Sequence, residues 1–167
     1  MPPPLKSAAS LGISYRPMAA ADLPFLAALY ASTRADEMAA TGWPEEARQQ
    51  FLAQQFDAQH RHYMAHYEPA EWLIVERDGV AIGRLYIRQS EGASHIIDIS
   101  LLPAARGLGI GGAILADILD AAAQAGNKVE LHVEKSNPAR RLYERLGFAV
   151  IEDRGAYDLW SAGGRLN

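Results

Sequence analysis

Apolar positions recur at two spacings along the 167-residue chain, and the change from one spacing to the other marks out the elements. Ile13-Ser14-Tyr15-Arg16-Pro17 alternates and is stopped by proline, which predicts a short strand. Ala21-Asp22-Leu23-Pro24 then opens a helix with Leu23, Leu26, Leu29 and Tyr30 on its inner stripe. From Pro44 to about His66, Phe51, Leu52, Gln55 and Phe56 recur at helical spacing among charges and glutamines, as in a half-buried helix. The runs 71–77 and 80–88 read as two antiparallel strands, because Asp78-Gly79 between them is a strong hairpin signal. A further apolar strand at about 95–102 leads through a glycine-rich loop into a helix over 111–124, with Ile114, Leu115, Ile118 and Leu119 inward and Gly126-Asn127 at its end. A strand over 128–133, a short helix over 138–146 closed by Gly147, and strands at 148–151 and 157–160 complete the pattern.

The expected order is β-α-α-β-β-β-α-β-α-β-β, and its mix of hairpins and crossovers predicts an α+β (mixed α/β) fold with one mixed sheet and helices on its faces. The length suits one hydrophobic core. Residues 1–11, rich in proline, serine and alanine, read as a disordered or loosely docked tail, residues 12–162 as the domain and residues 163–167 as a C-terminal tail. No period that would mark a solenoid is present.

Composition narrows the chemistry. The 49% hydrophobic and 22% charged content is that of a packed globular protein. A net charge of −4 argues against nucleic acid as the main partner. The chain has no cysteine, which removes disulfides, thiolate zinc sites and a cysteine acyl-enzyme. The N-terminus lacks the apolar run of about 7–15 residues that a secretory signal carries, and no stretch approaches the roughly 20 apolar residues of a membrane helix, so a cytoplasmic location without membrane association is expected.

Two segments carry candidate chemistry. The strand Ile96-Ile97-Asp98-Ile99-Ser100-Leu101-Leu102 runs into Pro103-Ala104-Ala105-Arg106-Gly107-Leu108-Gly109-Ile110-Gly111-Gly112, and a helix begins at once. Glycines permit positive φ and close backbone approach, while the free N–H groups and dipole of a helix N-terminus favour negative charge, so the loop is a candidate diphosphate cradle. A tight strand-to-helix turn without a ligand would use the same glycines. The Gly-Lys-Ser/Thr of a Walker loop is missing, and a dinucleotide-binding Rossmann loop would want an acidic residue ending the next strand of a βαβ unit. The second segment is Asn137-Pro138-Ala139-Arg140-Arg141-Leu142-Tyr143-Glu144-Arg145-Leu146-Gly147-Phe148. In it Tyr143 reads either as a core tyrosine packed with Leu142 and Leu146 or as a functional phenol, and Asn137 suits an N-cap for the helix begun by Pro138.

Arg106-x-x-Gly109-x-Gly111 after this strand resembles the acyl-CoA diphosphate loop of the GNAT superfamily of N-acyltransferases, Arg/Gln-x-x-Gly-x-Gly/Ala. The second segment resembles the other GNAT signature, in which Asn and Ala precede Leu-Tyr-x-x-x-Gly-Phe. The resemblance implies a GNAT-like domain whose mostly antiparallel sheet holds acetyl-CoA, as co-substrate, where two parallel strands at about 95–102 and 128–133 splay apart. It places Arg106, Gly107, Leu108, Gly109, Ile110, Gly111 and Gly112 on the diphosphate, backbone groups of Ile99 and Leu101 on the thioester and pantetheine arm, and Asn137 and Tyr143 beside the cofactor. No metal is implied. A primary amine would attack the thioester directly in a ternary complex, with a backbone N–H near Ile99 meeting the oxyanion and Tyr143 acting as general acid toward the thiolate.

The base is less defined. Simple alternation from Leu101 back along the strand puts His95, Ile97, Ile99 and Leu101 on one side and Asp98 and Ser100 on the other, so His95 shares the cofactor side unless a bulge intervenes. Family members that use an identifiable base often take it from this strand, which makes His95 a candidate; Asp98, Glu37 in the loop between the first two helices, and water are the others. His62 and His66 stand at i, i+4 but lack the Glu of a zinc-binding helix. Arg140, Arg141 and Arg145 suit a solvated face, and Trp43, Tyr63 and Tyr67 are candidate walls of an acceptor cleft. A small-molecule amine is the favoured acceptor. A protein N-terminal or lysine amine and a non-catalytic acyl-CoA-binding sensor are the alternatives, and a homodimer stays open.

Overall fold

The computed structural model describes residues 2–163. Strands β1 (Ile13–Pro17), β2 (Glu71–Arg77), β3 (Val80–Ser90), β4 (Ala93–Leu101), β5 (Lys128–Glu134), β6 (Ala149–Arg154) and β7 (Tyr157–Gly163) form one sheet in the order β1-β2-β3-β4-β5-β7-β6. Every neighbouring pair is antiparallel except β4 and β5. The expected Asp78-Gly79 turn joins β2 to β3, with both residues at positive φ, 51° and 83°, as a two-residue hairpin requires.

Helices α1 (Leu23–Thr33), α2 (Ala35–Ala40), α3 (Glu45–His66), α4 (Ile110–Ala125) and α5 (Arg140–Arg145) make one more helix than the sequence pattern suggests. The addition is α2, six residues with only Met38 buried and therefore too short to show a periodic stripe. Arg34, at φ −108° and ψ 4°, breaks the chain between α1 and α2, so Glu37 sits on a helix rather than in a loop.

The sheet buries both faces. Leu73, Val75, Leu85, Ile87, Ile96, Val129, Leu131 and Val133 pack with Ile110, Ile114, Leu115 and Ile118 of α4 on one side. On the other, Ile74 packs with Leu26, Leu29 and Tyr30 of α1 and Phe56 of α3. Alternation within β2 shows how one strand serves both layers, since Leu73 and Val75 face α4 while Ile74 faces α1.

Residues preceding β1 are fastened rather than trailing. The Asp117 carboxylate, on α4 and 2% exposed, accepts backbone N–H bonds from Lys6, Ser7 and Ala8, each 2.9 Å long. Ala8 is fully buried and a 3-10 turn over Ala9–Leu11 leads into β1. A proline- and alanine-rich segment carries no periodic signal, and docking through backbone groups leaves no mark on its sequence. Gly163 ends β7, and the remainder of the expected C-terminal tail lies outside the described residues. No helix among the described residues is long and apolar enough to cross a membrane.

Burial alone would raise the Asp117 carboxyl, but the three N–H bonds outweigh it and hold it below the ordinary carboxylate range. A depressed folded value contributes stability that is present above the unfolded value of about 3.9 and is lost as pH falls through the folded one. Asp117→Asn is therefore expected to lower unfolding stability by at least about 2 kcal/mol at neutral pH. The gap from wild type, read by chemical denaturation, should narrow below about pH 4.

Candidate active site

The parallel register between β4 and β5 covers only four pairs, from Ala93 with Lys128 to Ile96 with Leu131. Beyond that point β4 continues to Leu101 and β5 to Glu134 with no pairing between them. The divergence starts at a bulge. Against β3, the register steps from Asp98 opposite Tyr86 to Ile96 opposite Ile87, which leaves Ile97 as the extra residue. A cleft of about 800 Å³ opens here, lined by Ile97–Leu101 residues of β4, by His132 and Glu134 of β5 and by Asn137, Ala139 and Tyr143 beyond it.

The bulge also decides which side chains enter which half of the cleft. Ile96, Ile99 and Leu101 join the α4-side core, whereas Asp98 turns to the α1/α3 face and bonds Arg84. His95 pairs in register with Glu130, whose neighbours Val129 and Leu131 face α4, so His95 lies on the α1/α3 face too. The expectation that His95 shares the side of Ile99 and Leu101 fails because the extra residue at Ile97 resets the alternation between them. Asp98 and Ser100 do oppose Ile99 and Leu101, as simple alternation requires.

At the far end of β4, a Cβ on Gly83 would lie 2.2 Å from the Ser100 carbonyl oxygen, so only glycine lets β3 approach this closely. Arg106 then braces the loop. Its Nε donates to the Leu101 carbonyl at 2.9 Å and an Nη to Ser32 Oγ at 3.3 Å. Gly107 and Gly109 adopt φ +73° and +80°, the left-handed region that favours glycine. The first bond of α4 runs from the Ala113 N–H to the Gly109 carbonyl, so the N–H groups of Ile110, Gly111 and Gly112 have no intrahelical acceptor. These N–H groups and the helix dipole form an electropositive end beside the open edge of β4. Arg106 lines the cleft, whereas Gly107–Gly112 residues, which follow it, do not.

Tyr143 is 5% exposed, packed edge-on against Phe148 and Trp160 with centroids 6.0 and 6.1 Å apart, yet it reaches the cleft. Core packing and cleft lining are thus both properties of this one residue. Burial, with the nearby Asp98 carboxylate, pushes its phenol up to about 12, and hydrogen bonding with Asn137 offsets part of that rise. Asn137 is not the N-cap expected of it, because α5 begins at Arg140 with Ala139 at the N-cap position; its Oδ1 instead accepts the Ala139 N–H at 2.8 Å, closing the turn that precedes the helix.

Across the cleft, the α1/α3 face is polar and its charges are mutually engaged. Arg84, 3% exposed, donates through Nε to Asp98 Oδ2 at 2.9 Å and through an Nη to the same oxygen and to Gln59 Oε1. Its guanidinium also stacks over Tyr86 at 4.6 Å. Asp98 further accepts the Ser100 hydroxyl at 2.8 Å. Arg34, at the α1–α2 junction, donates to both Glu134 oxygens at 3.0 and 3.3 Å and to Glu37 at 3.2 Å. The expected cleft walls Tyr63 and Tyr67 line this side, and Trp43 packs away from it against Phe51. His62 and His66 lie tilted to one another with centroids 4.6 Å apart, and no group of three or more potential metal ligands occurs among the described residues. Arg34, Arg84, His132, Glu134 and Arg154 were not singled out by motif; the strand alternation at Glu130, His132 and Glu134 was the available signal, once Val129, Leu131 and Val133 are assigned to the core.

The acetyltransferase (GNAT) family model matches residues 30–148, which spans both signatures and the diverging strands. The chain belongs to this family. A curated N-alpha-acetyltransferase of Sulfurisphaera tokodaii is 30% identical over 105 residues, 54% of this chain and 62% of that protein. The chain thus matches somewhat under two thirds of that relative's length. The PaiA N-acetyltransferase of Thermoplasma acidophilum, solved with coenzyme A, superposes with a TM-score of 0.66 at 17% identity, over 90% of this chain and 98% of that one. The spermidine N-acetyltransferase of Vibrio cholerae, solved with CoA and spermine, gives 0.57 at 22% identity over 90% and 93%. At these identities the two solved structures speak to the GNAT fold, and it is the fold described above.

Removing the Asp98 charge would strand the buried Arg84 guanidinium. Asp98→Asn in this GNAT chain is expected to cost about 3 kcal/mol in thermal or chemical denaturation. A loss below about 1 kcal/mol would show that Asp98 is not committed to Arg84.

Proposed function

We propose that the chain is an N-acetyltransferase that moves the acetyl group of acetyl-CoA to the primary amine of a small molecule by direct attack in a ternary complex. The observation that carries this reading is the divergence of β4 from β5 beside the unpaired N–H groups of α4, coincident with both family signatures. A long amide-bearing arm ending in a diphosphate fits that arrangement. Residues 97–101 offer a strand edge with no neighbour for the amides, and the N–H groups of residues 110–112 offer donors for the phosphates. When bound, acetyl-CoA supplies an activated acetyl thioester.

On this reading Arg106 fixes the exit of β4, Gly107 and Gly109 set the loop's backbone, and the loop from Gly107 through Leu108, Gly109, Ile110 and Gly111 to Gly112 receives the diphosphate. Backbone groups of Ile99 and Leu101 hold the arm, the Leu101 carbonyl being already occupied by Arg106. Tyr143, positioned by Asn137, keeps its proton at neutral pH and donates a hydrogen bond to the departing sulfur. A full proton transfer from a phenol at about 12 to a thiolate whose conjugate acid lies near 8.5 would be uphill by about 5 kcal/mol.

Among the candidate bases, Asp98 is held by a buried guanidinium and a hydroxyl, and Glu37 is exposed at the rim and paired with Arg34. His95 is half-buried, lines the cleft and carries no such partner in its hydrogen bonding among the described residues. It is the base of this proposal. Arg34 clasps Glu134 across the acceptor side, from the α1–α2 junction to the end of β5, and bounds the space available. That clasp favours a compact acceptor over an extended polypeptide. An α-amino acceptor is the second reading, supported by the curated relative's activity on that class of amine as its name gives it.

A thiol-release assay with acetyl-CoA and a panel of polyamines, amino acids and short peptides tests the proposal. Amine-dependent release is the expected result, and Tyr143→Phe should lower kcat about a hundredfold while leaving acetyl-CoA affinity within about threefold. Tight acetyl-CoA binding with no release for any amine would replace the transferase with a sensor.

A further inference from the structure

His95 is not alone on its face of the sheet. In the parallel pairing His95 is in register with Glu130, and His132 stands two residues further along β5, on the same face, just past the last paired residue Leu131. The two imidazoles meet edge to face with centroids 5.2 Å apart, where the strands begin to part. His132 is held from two strands away in the same sheet, across β7. An Nη of Arg154, on β6, lies 2.8 Å from His132 Nε2. A guanidinium only donates, so Nε2 accepts and the His132 proton resides on Nδ1. Arg154 is itself anchored, its Nε and an Nη each 3.1 Å from the two Glu152 oxygens. A continuous string, Glu152 to Arg154 to His132 to His95, therefore crosses from the exposed edge strand into the cleft.

We propose that His132 and Arg154 are positioning residues for His95, holding its ring at the mouth of the strand divergence with a nitrogen lone pair free toward the acceptor side. This rests on the reading of the cleft as the site of acetyl transfer to an amine. In the step it serves, the acceptor attacks the acetyl carbon as its free amine, and as that bond forms and the bond to the departing sulfur breaks, a proton of the now cationic nitrogen passes to the His95 nitrogen. The proton then leaves His95 for solvent, toward which the exposed His132 faces.

The electrostatics agree with the geometry. Burial and the neighbouring His132 push the His95 imidazole down to about 4, with Arg88 of β3 and Arg154 of β6 acting in the same direction and Glu130 of β5 opposing them. Burial and Arg154 lower His132 as well, against Glu130 and Glu152. Glu130 is partly neutralised by Lys128 at 2.7 Å, and α3 adds His62 and Tyr67 to the cleft lining. Both imidazoles are thus neutral near pH 7. A structural string with no bearing on His95 would leave its titration untouched when Arg154 is removed.

The test follows His95 by its imidazole NMR signals across pH in wild type, Arg154→Gln, Arg154→Lys and His132→Phe, alongside pH profiles of kcat/KM from thiol release. Loss of the Arg154 charge, or of the second imidazole, removes an influence that lowers His95, so its midpoint should rise in both variants, and further in His132→Phe than in Arg154→Gln. The acid limb of kcat/KM should move up in pH by the same amount, cutting activity at the old midpoint from one half to about one quarter of the plateau for a half-unit shift, and Arg154→Lys should restore it. An unmoved His95 midpoint in Arg154→Gln, or an activity drop equal at every pH, overturns the proposal. The NMR midpoints need no turnover. Wild-type protein that shows the coupled titration yet releases no thiol would overturn the transferase reading while supporting the coupling.

Discussion

Everything at the site depends on one extra residue in a strand. Ile97 bulges from β4 between Ile96 and Asp98, and from that point the parallel partner β5 no longer follows. A sheet normally satisfies each strand's backbone groups through its neighbours, so an internal strand that loses one neighbour for its last residues exposes a row of polar groups inside the molecule. The same bulge reverses the facing of every side chain before it. His95 is consequently delivered to the α1/α3 face and Ile99 to the α4 face, although a strand without a bulge would place them together.

The two halves of the cleft differ in how they handle charge. On the α4 side the polar groups are backbone N–H and C=O together with a buried phenol, fixed in place and unable to reorganise far. The opposite face is built from side-chain ion pairs, Arg84 with Asp98, Arg34 with Glu134 and Arg154 with Glu152, so each of these charges has an opposite partner. Arg34 with Glu134 ties the α1–α2 junction to the end of β5, and Arg84 ties β3 to β4 and, through Gln59, to α3. A group bound between the halves meets rigid donors on one side and adjustable, partly exposed side chains on the other. Such a division suits a shared co-substrate on the first side and a chain-specific acceptor on the second.

Much of this was legible in the sequence. Apolar alternation located the strands, Asp78-Gly79 fixed the hairpin, and Arg106-x-x-Gly109-x-Gly111 and the Leu142-Tyr143 segment pointed to the fold because their geometry is local: a left-handed glycine or a helix start is determined by a few neighbouring residues. What the sequence hid is non-local. A bulge has no residue signature of its own at Ile97, α2 is too short to be periodic, and the docking of Lys6, Ser7 and Ala8 on Asp117 uses backbone groups that any residues would supply. His132 was readable by alternation as a polar-face residue of β5, but its nearness to His95 depends on the β4–β5 register. The chemical roles assigned to individual residues are proposals of a different kind, since they depend on molecules that bind rather than on the fold.

In the proposed site, the open edge of β4 and the N-terminus of α4 together hold an acyl-CoA. Titrating the isotopically labelled protein with coenzyme A and following backbone amide signals tests it directly. Saturable shifts concentrated at residues 97–101 and 107–112, with smaller changes at Asn137 and Tyr143, are the expected result. Shifts confined to other surfaces, or none at millimolar coenzyme A, would contradict it.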